Sequence, residues 1–404
     1  MDSTQLTARL DRVENLREQI IAGGDEAQKL RRLPQDLVET LVEQGFFRFT
    51  LPETLGGEDA SSLQTIEILE AMGAIDGSVA WNVMLGSEIN AMAAGGMAPE
   101  LAREVYLENP DVIMCGGGGP GSTPPRAERQ EDGGVRVWGQ TTFISGCHNA
   151  GWCFMGAPLM HGDQPEVDVD GRPKFKLWFL PRDQWEIVDT WDVAGLRGSG
   201  SHDVKAQGGY VAPRFVDVEL MSLPAHYDNP VFRIPVPLRL AYNKAAVALG
   251  VARGALESFS ELAQNKIPML SASTLRDRPS AQYRVGECMA DYRAVRSYVM
   301  SAMAAVQDEL LAGAPVPGAK TTQNARLACV HAANVCMRVV DTLHSTAGTS
   351  GMRMHSPLER KLRDAHGCAS HRWVSHPLYQ DLGSIFLGNP PSDEFAGTAQ
   401  LTTR

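Results

Sequence analysis

"WDVAGLRGSGSHDVKAQGGYVAP", residues 191–213, decides the fold. Its first half holds a Gly/Ser turn, "LRGSGSHD", and its end, "GYVAP", reads as a short strand. It closes a series of similar segments, "VRVWGQ" (135–140), "WCFMGAPLM" (152–160), "KFKLWFLP" (174–181) and "WEIVDTW" (185–191). The turns "EDGG" and "DVDGRP" separate them. Aromatic and β-branched residues between Gly, Asp and Pro turns predict a β-domain over 111–222. Outward from it in both directions the period becomes helical. On the N-terminal side, 1–110 predicts a helical domain. "LRRLPQDLVETLVEQGFF" enters through Pro34 and stops at Gly45, and residues 61–99 give two helices broken at Asp76–Gly77. On the C-terminal side, 223–404 predicts a bundle of four helices, over 238–264, 281–313, 319–348 and 356–376. The expected class is α+β, with a helical domain, a barrel-like β-domain and a four-helix bundle.

The bulk numbers exclude several functions. A net charge of -11 in 404 residues argues against nucleic acid or an anionic membrane as partner, since both reward a basic face. No apolar run approaches the ~20 residues of a membrane span, and the polar start "MDSTQLTARLDRVENLREQI" is no signal peptide. Seven cysteines stand singly, without a C-x-x-C pair, which suits reduced thiols in a cytoplasm and offers no zinc-type spacing.

"VIMCGGGGPG", residues 112–121, spaces Gly116, Gly118 and Gly121 as G-x-G-x-x-G. That fingerprint holds a dinucleotide only between a strand and the start of a helix. Three prolines and a hairpin turn follow here, so no helix can begin. The run reads instead as backbone passing close to something flat.

Three stretches together resemble the acyl-CoA dehydrogenase fold: "GQTTFISGCHNAGWCFMGA" (139–157), residues 191–213, and "TAGTSGMRMHSPLERKLRDAHGCASH" (346–371). Dehydrogenases of that fold carry a carboxylate base after the C-terminal "RD" or on the first helix of the bundle. Here "RDAHGCASHRWV" and "LRLAYNKAAVAL" hold no acid beyond Asp364, so the α-proton chemistry has no base. "GLRGSGSHDV", "ISGCHNAGWCFMGA" and "RDAHGCASH" are similar instead to the flavin-dependent monooxygenases of the fold, the oxygenase components of two-component hydroxylases.

That resemblance implies reduced FAD or FMN delivered by a separate reductase, O₂ as co-substrate, and a C4a-hydroperoxide that oxygenates a small aromatic. It places Ser145 at flavin N5 and His371, a helix histidine, beside C4a. Arg197, Gly198, Ser199, Gly200 and Ser201 would offer backbone N–H groups and a guanidinium to the flavin. Phe143 belongs to the β-core or shields the flavin, and Trp152 serves that core. His366 is divided evenly between site and surface, while Arg360, Arg363 and Asp364 read as structural ion pairs. Lys266 is the one candidate left for the adenine half of FAD.

The substrate-side departures involve Trp81, Ile89, Cys115 and Gly116. Phenol hydroxylases of the branch place a His where Ile89 stands and a Ser where Cys115 or a glycine stands. The pocket is therefore expected to be apolar and to favour an indole-like ring over a phenol. An N-oxygenase acting on an amine is the alternative, with Glu88 pointing that way. A flavin-storing homologue and a residual dehydrogenase follow behind. The resemblance also implies a homotetramer packed through the C-terminal helices.

Overall fold

Asp76 ends one helix and begins the next. Its carboxylate accepts the Val79 N–H at 2.9 Å, capping a helix whose residues from Gly77 to Gly95 are all buried. A helix that is apolar on every side must be enclosed, and the rest of the chain is arranged around this one.

In the computed structural model, residues 3–117, 119–169, 171–221 and 226–390 are described. The N-terminal helices are α1 (Ser3–Asn15), α2 (Arg17–Leu30), α3 (Gln35–Glu43), α4 (Ser62–Ile75), α5 (Gly77–Gly96) and α6 (Pro99–Glu108). Ser61 and Gln64 form a reciprocal capping box that starts α4.

Among the described residues nine strands follow: β1 (Met114–Gly117), β2 (Gly119–Pro120), β3 (Arg126–Arg129), β4 (Val135–Ile144), β5 (Trp152–His161), β6 (Gln164–Pro165), β7 (Phe175–Pro181), β8 (Glu186–Val188) and β9 (His202–Val211). They form one curled half-barrel in the order β1-β5-β3-β4-β9-β8, with β2 on β4 and β6 and β7 on β5. β1 and β3 both run parallel to β5, and β4 pairs antiparallel with β9. The β4–β9 register slips between Thr141 and Ile144. That irregularity re-aims the residues leading into Ser145.

The short α7 (Pro213–Val216) leads to α8 (Val236–Asn265), α9 (Pro279–Leu311), α10 (Ala319–Ala347), α11 (Pro357–Ala369) and α12 (Leu378–Phe386). The fourth helix of the bundle stops at Ala369, short of the expected 376, and the small α12 follows it. α8 crosses α4 in direct backbone contact, since a Cβ on Gly250 would lie 2.5 Å from the Glu70 carbonyl oxygen. α8 also runs antiparallel to α5. Val251 meets Gly77, Lys244 meets Glu88, and Phe232, just before α8, meets Gly95. Among the described residues no helix is long and apolar enough to cross a membrane.

Candidate active site

The N-terminal half of α5, the turn after β4, the loop before β9 and the segment after α11 converge on one cluster. Trp81 Nε1 donates to Ser145 Oγ at 3.2 Å. Ser145 Oγ shares a 2.6 Å hydrogen bond with Ser201 Oγ, and Ser201 shares one of 2.7 Å with Ser199. All four side chains are buried. The ring of His371 stands edge-on to Trp81, centroids 5.4 Å apart.

Ser145 already accepts one proton from Trp81. When Ser199 donates to Ser201 and Ser201 to Ser145, the Ser145 proton is left over and can be donated outward. A chain of hydroxyls thus presents a donor at one end without an ionised group.

His371 lies two residues beyond the end of α11, in a turn rather than in the helix. The sequence pattern suggested a longer helix, but the chain turns at Ser370 and brings the ring inward. Its Nδ1 accepts the Trp373 N–H at 3.4 Å, which assigns the remaining proton to Nε2. Burial, with a lesser contribution from the Lys244 ammonium, pushes its pKa down to about 3. It is a neutral imidazole with an N–H to give.

Phe143 is not a core residue. Its φ is +61° and its ring is 68% exposed, edge-on to Trp191 at 6.1 Å. The register slip in β4 turns it outward. A left-handed, exposed aromatic is strained and unburied at once, a pair of costs that marks a functional surface. Trp191 is positioned in turn by His202, whose Nδ1 accepts the Thr190 and Trp191 N–H groups at 3.2 Å each. Trp152 does belong to the core, stacked on Phe179 at 4.4 Å.

In the 197–201 loop two N–H groups are engaged within the chain: Gly198 N–H donates to Ser78 Oγ and Ser199 N–H to the Leu196 carbonyl. A Cβ on Gly198 would sit 2.7 Å from Ala27 Cβ, so the glycine serves packing against α2 and α5. Asn82 reaches the Gly198 carbonyl at 3.2 Å and ties the loop to α5. Arg197 is engaged by Asp192 and by the Gln28 and Val193 carbonyls. Sequence alone does not show that these small residues dock the loop rather than open it.

The glycine run is also a packing feature. A Cβ on Gly116 would lie 2.7 Å from Phe154 Cβ on the paired strand β5, and one on Gly117 2.9 Å from Ile144 Cδ1. Gly118 lies outside the described residues. Cys115 sits opposite Cys153 in the β1–β5 pair, and burial pushes its thiol pKa far up. Ile89 is buried on α5. His366 pairs with Asp341 on the surface, and the Lys266 ammonium is bonded to the Ala347 carbonyl. Arg360 joins Asp25 and Asp76, Arg363 joins Glu359, and Asp364 accepts the Leu196 N–H.

Four residues escaped the sequence reading: Asn82, Arg239, Asn243 and Lys244. Glu88 pairs with Lys244 at 2.5 Å and accepts from Asn243 at 2.7 Å, all three side chains being buried. The acid is therefore neutralised and does not make an acidic pocket for an amine. The available signal was the charged "R…NK" set within the apolar run of α8, because a buried charge demands a partner.

The arrangement fits a planar, partly polar ring. An exposed aromatic pair would cover it, a spare hydroxyl proton and a neutral N–H would face it, and the acid on α5, Glu88, is already closed by Lys244 and Asn243. Residues 7–109 match the acyl-CoA dehydrogenase N-terminal domain and 242–376 the acyl-CoA dehydrogenase C-terminal domain. The chain belongs to the acyl-CoA dehydrogenase family. It is 30% identical to indole-3-acetate monooxygenase of Acinetobacter baumannii, over 94% of this chain and 93% of that one. It is 27% identical to the oxygenase subunit HsaA of a flavin-dependent monooxygenase from Rhodococcus jostii, over 90% and 93%. The crystal structure of 3-HSA hydroxylase from Rhodococcus sp. RHA1 superposes with a TM-score of 0.84 at 25% identity, covering 97% and 99%. Within the family, this protein is a flavin-dependent aromatic monooxygenase, an oxygenase component served by a separate reductase.

Proposed function

We propose that the protein oxygenates an indole-type heteroaromatic ring rather than a phenol. The observation that carries this reading is the apolar character of two buried positions, Ile89 and Cys115, where phenol-handling members of the branch are expected to anchor a hydroxyl. The cysteine thiol, held protonated by burial, cannot act as the base a phenol needs. Trp81 and Gly116 complete the substrate side. The likeness to indole-3-acetate monooxygenase supports the same ring class. The amine alternative loses its support, since Lys244 and Asn243 occupy both oxygens of Glu88.

Bound reduced flavin, FAD or FMN, supplies with O₂ the electrophilic oxygen. Ser145 would hold the flavin with its spare proton, with Ser201 and Ser199 fixing the direction of that hydroxyl. His371 would offer its Nε2 proton to the flavin, and its low pKa keeps it from delivering a full positive charge. Phe143 and Trp191 would help to shield the bound flavin from water. Arg197, Gly198 and Ser199 contribute by holding the loop. We infer a cytoplasmic homotetramer; exposed Met352, Met354, Phe386 and Leu387 around the C-terminal helices support the self-association.

The test is to supply photoreduced FMN or FAD, oxygen, and either indole or phenol, and to measure oxygenated product against hydrogen peroxide. Coupled turnover of indole is expected. Preference for phenol overturns the substrate reading.

A further inference from the structure

His202 opens β9 and is 3% exposed. Its backbone pairs in register with Ile144, the residue after Phe143, where the β4–β9 ladder slips. Its Nδ1 accepts the Thr190 and Trp191 N–H groups, and its other nitrogen donates to the Arg31 carbonyl at the left-handed end of α2. One imidazole thus stands behind both members of the Phe143–Trp191 pair. Thr190 is tied a second time, through its hydroxyl to Asp203. The Trp191 N–H has His202 as its one acceptor among the described residues.

An Nδ1 that accepts two N–H groups carries no proton. Burial opposes its protonation most strongly, and the net direction of its pKa is down. The Asp189 carboxylate, 3.3 Å from Nδ1, pulls the other way, as does Asp203. Arg31 opposes the proton and pairs with Asp189 at 2.7 Å. The His148 ring stands edge-on at 4.9 Å and is itself pushed down to about 4, by burial first and then by His202. A proton arriving on Nδ1 would point to Asp189, leaving the Thr190 and Trp191 N–H groups against another donor.

We propose that His202 is a positioning residue for the reaction: its unprotonated Nδ1 holds Trp191, and through it the aromatic pair, over the flavin site. Protonation releases that cover. This rests on the shielding role given above to Phe143 and Trp191. The held ring has the lower pKa, so the released form takes the proton first as the pH falls. Release therefore grows below pH 6.5, the ordinary histidine value, by up to ~10-fold per pH unit until the held ring titrates too. With the cover released, O₂ takes the electron pair and two protons and leaves as hydrogen peroxide, and no oxygen atom reaches the substrate.

The first readout is amide hydrogen exchange at Trp191 in the full chain without flavin, corrected for the pH dependence of chemical exchange. The wild type should lose roughly 10-fold in protection between pH 7.5 and pH 5. His202→Asn sets an amide oxygen near the place of Nδ1 and does not titrate, so its protection should hold at both pH values. His202→Leu removes the acceptor and should lose about 5-fold already at pH 7.5, the worth of one hydrogen bond. The second readout is the product-to-peroxide ratio with indole and reduced flavin, which should fall in the same order. Phe143→Ala should lower that ratio at both pH values; if it does not, the shielding reading is what fails. Equal pH dependence of Trp191 exchange in wild type and His202→Asn overturns the proposal, and these two proteins decide it even if His202→Leu does not fold. Full Trp191 protection in a folded His202→Leu overturns it as well. So does a wild-type product ratio that stays constant while Trp191 protection is lost and Phe143→Ala lowers the ratio.

Discussion

Acidification should destabilise this protein through His371, and the size follows from its surroundings. An unfolded chain holds such an imidazole near 6.5, whereas burial and Lys244 lower the folded value to about 3. The folded pKa is the lower one, so the unfolded state binds the proton first as the pH falls. Stability is complete above 6.5 and drains away as the pH descends from there toward 3. At pH 5 the linkage amounts to about 2 kcal/mol, at 1.36 kcal/mol per pH unit below the unfolded pKa. The ring keeps some solvent contact, which trims the expected value to about 1–2 kcal/mol. The assay is urea unfolding of wild type and His371→Gln at pH 7.5 and pH 5, followed by tryptophan fluorescence. The quantity of interest is the extra loss in wild type on going to pH 5. Comparison with the variant matters because Asp364, raised to about 7 by burial and by Asp76, titrates in the opposite sense. A carboxyl with a raised folded pKa gains stability as pH falls, and that contribution cancels between the two proteins. Equal losses in wild type and variant would refute the account of a neutral, buried His371.

Three further outcomes test the packing and the site. Lys244→Met leaves Glu88 charged and unpaired in the interior and should cost about 3–5 kcal/mol in urea unfolding, while Glu88→Gln/Lys244→Met recovers most of it; equal stability of the two variants would contradict the buried pair. Gly116→Ala drives a methyl against Phe154 and should lose about 1–3 kcal/mol, whereas Gly286→Ala, in open space on α9, should be neutral or gain up to about 1 kcal/mol; similar melting shifts for both would show that β1 tolerates a Cβ. Ser145→Ala should divert oxygen from product to peroxide, and Ser201→Ala should do the same more weakly by freeing the direction of the Ser145 hydroxyl; unchanged product-to-peroxide ratios in both would remove the serine chain from the reaction.

The helices and strands were legible because their signals are local. The Asp76 cap, the Pro34 entry to α3 and the Gly/Asp turns of the sheet act within a few residues. The same holds for the pairing of Ser145 with the β4 end, since the motif there is continuous in sequence. The end of α11 was misjudged because "HGCASH" has no breaker until the chain turns to bury His371, a tertiary preference that outweighs propensity. The outward turn of Phe143 was hidden for a related reason: a register slip depends on the partner strand, β9, and not on β4 alone.

The sequence by itself determined the order of helical, β and helical parts, the absence of a base for acyl-thioester chemistry, and the apolar residues at 89 and 115. Each is a statement about residue type or short-range pattern, and such statements survive without coordinates. Only the tertiary structure decided what the polar groups face. It docked the 197–201 loop against α2 and α5 and closed Glu88 with Lys244 and Asn243. Charge satisfaction is a property of neighbours brought from 155 or more residues away, as Glu88 and Asn243 are. No local pattern can encode which distant partner matches a buried charge.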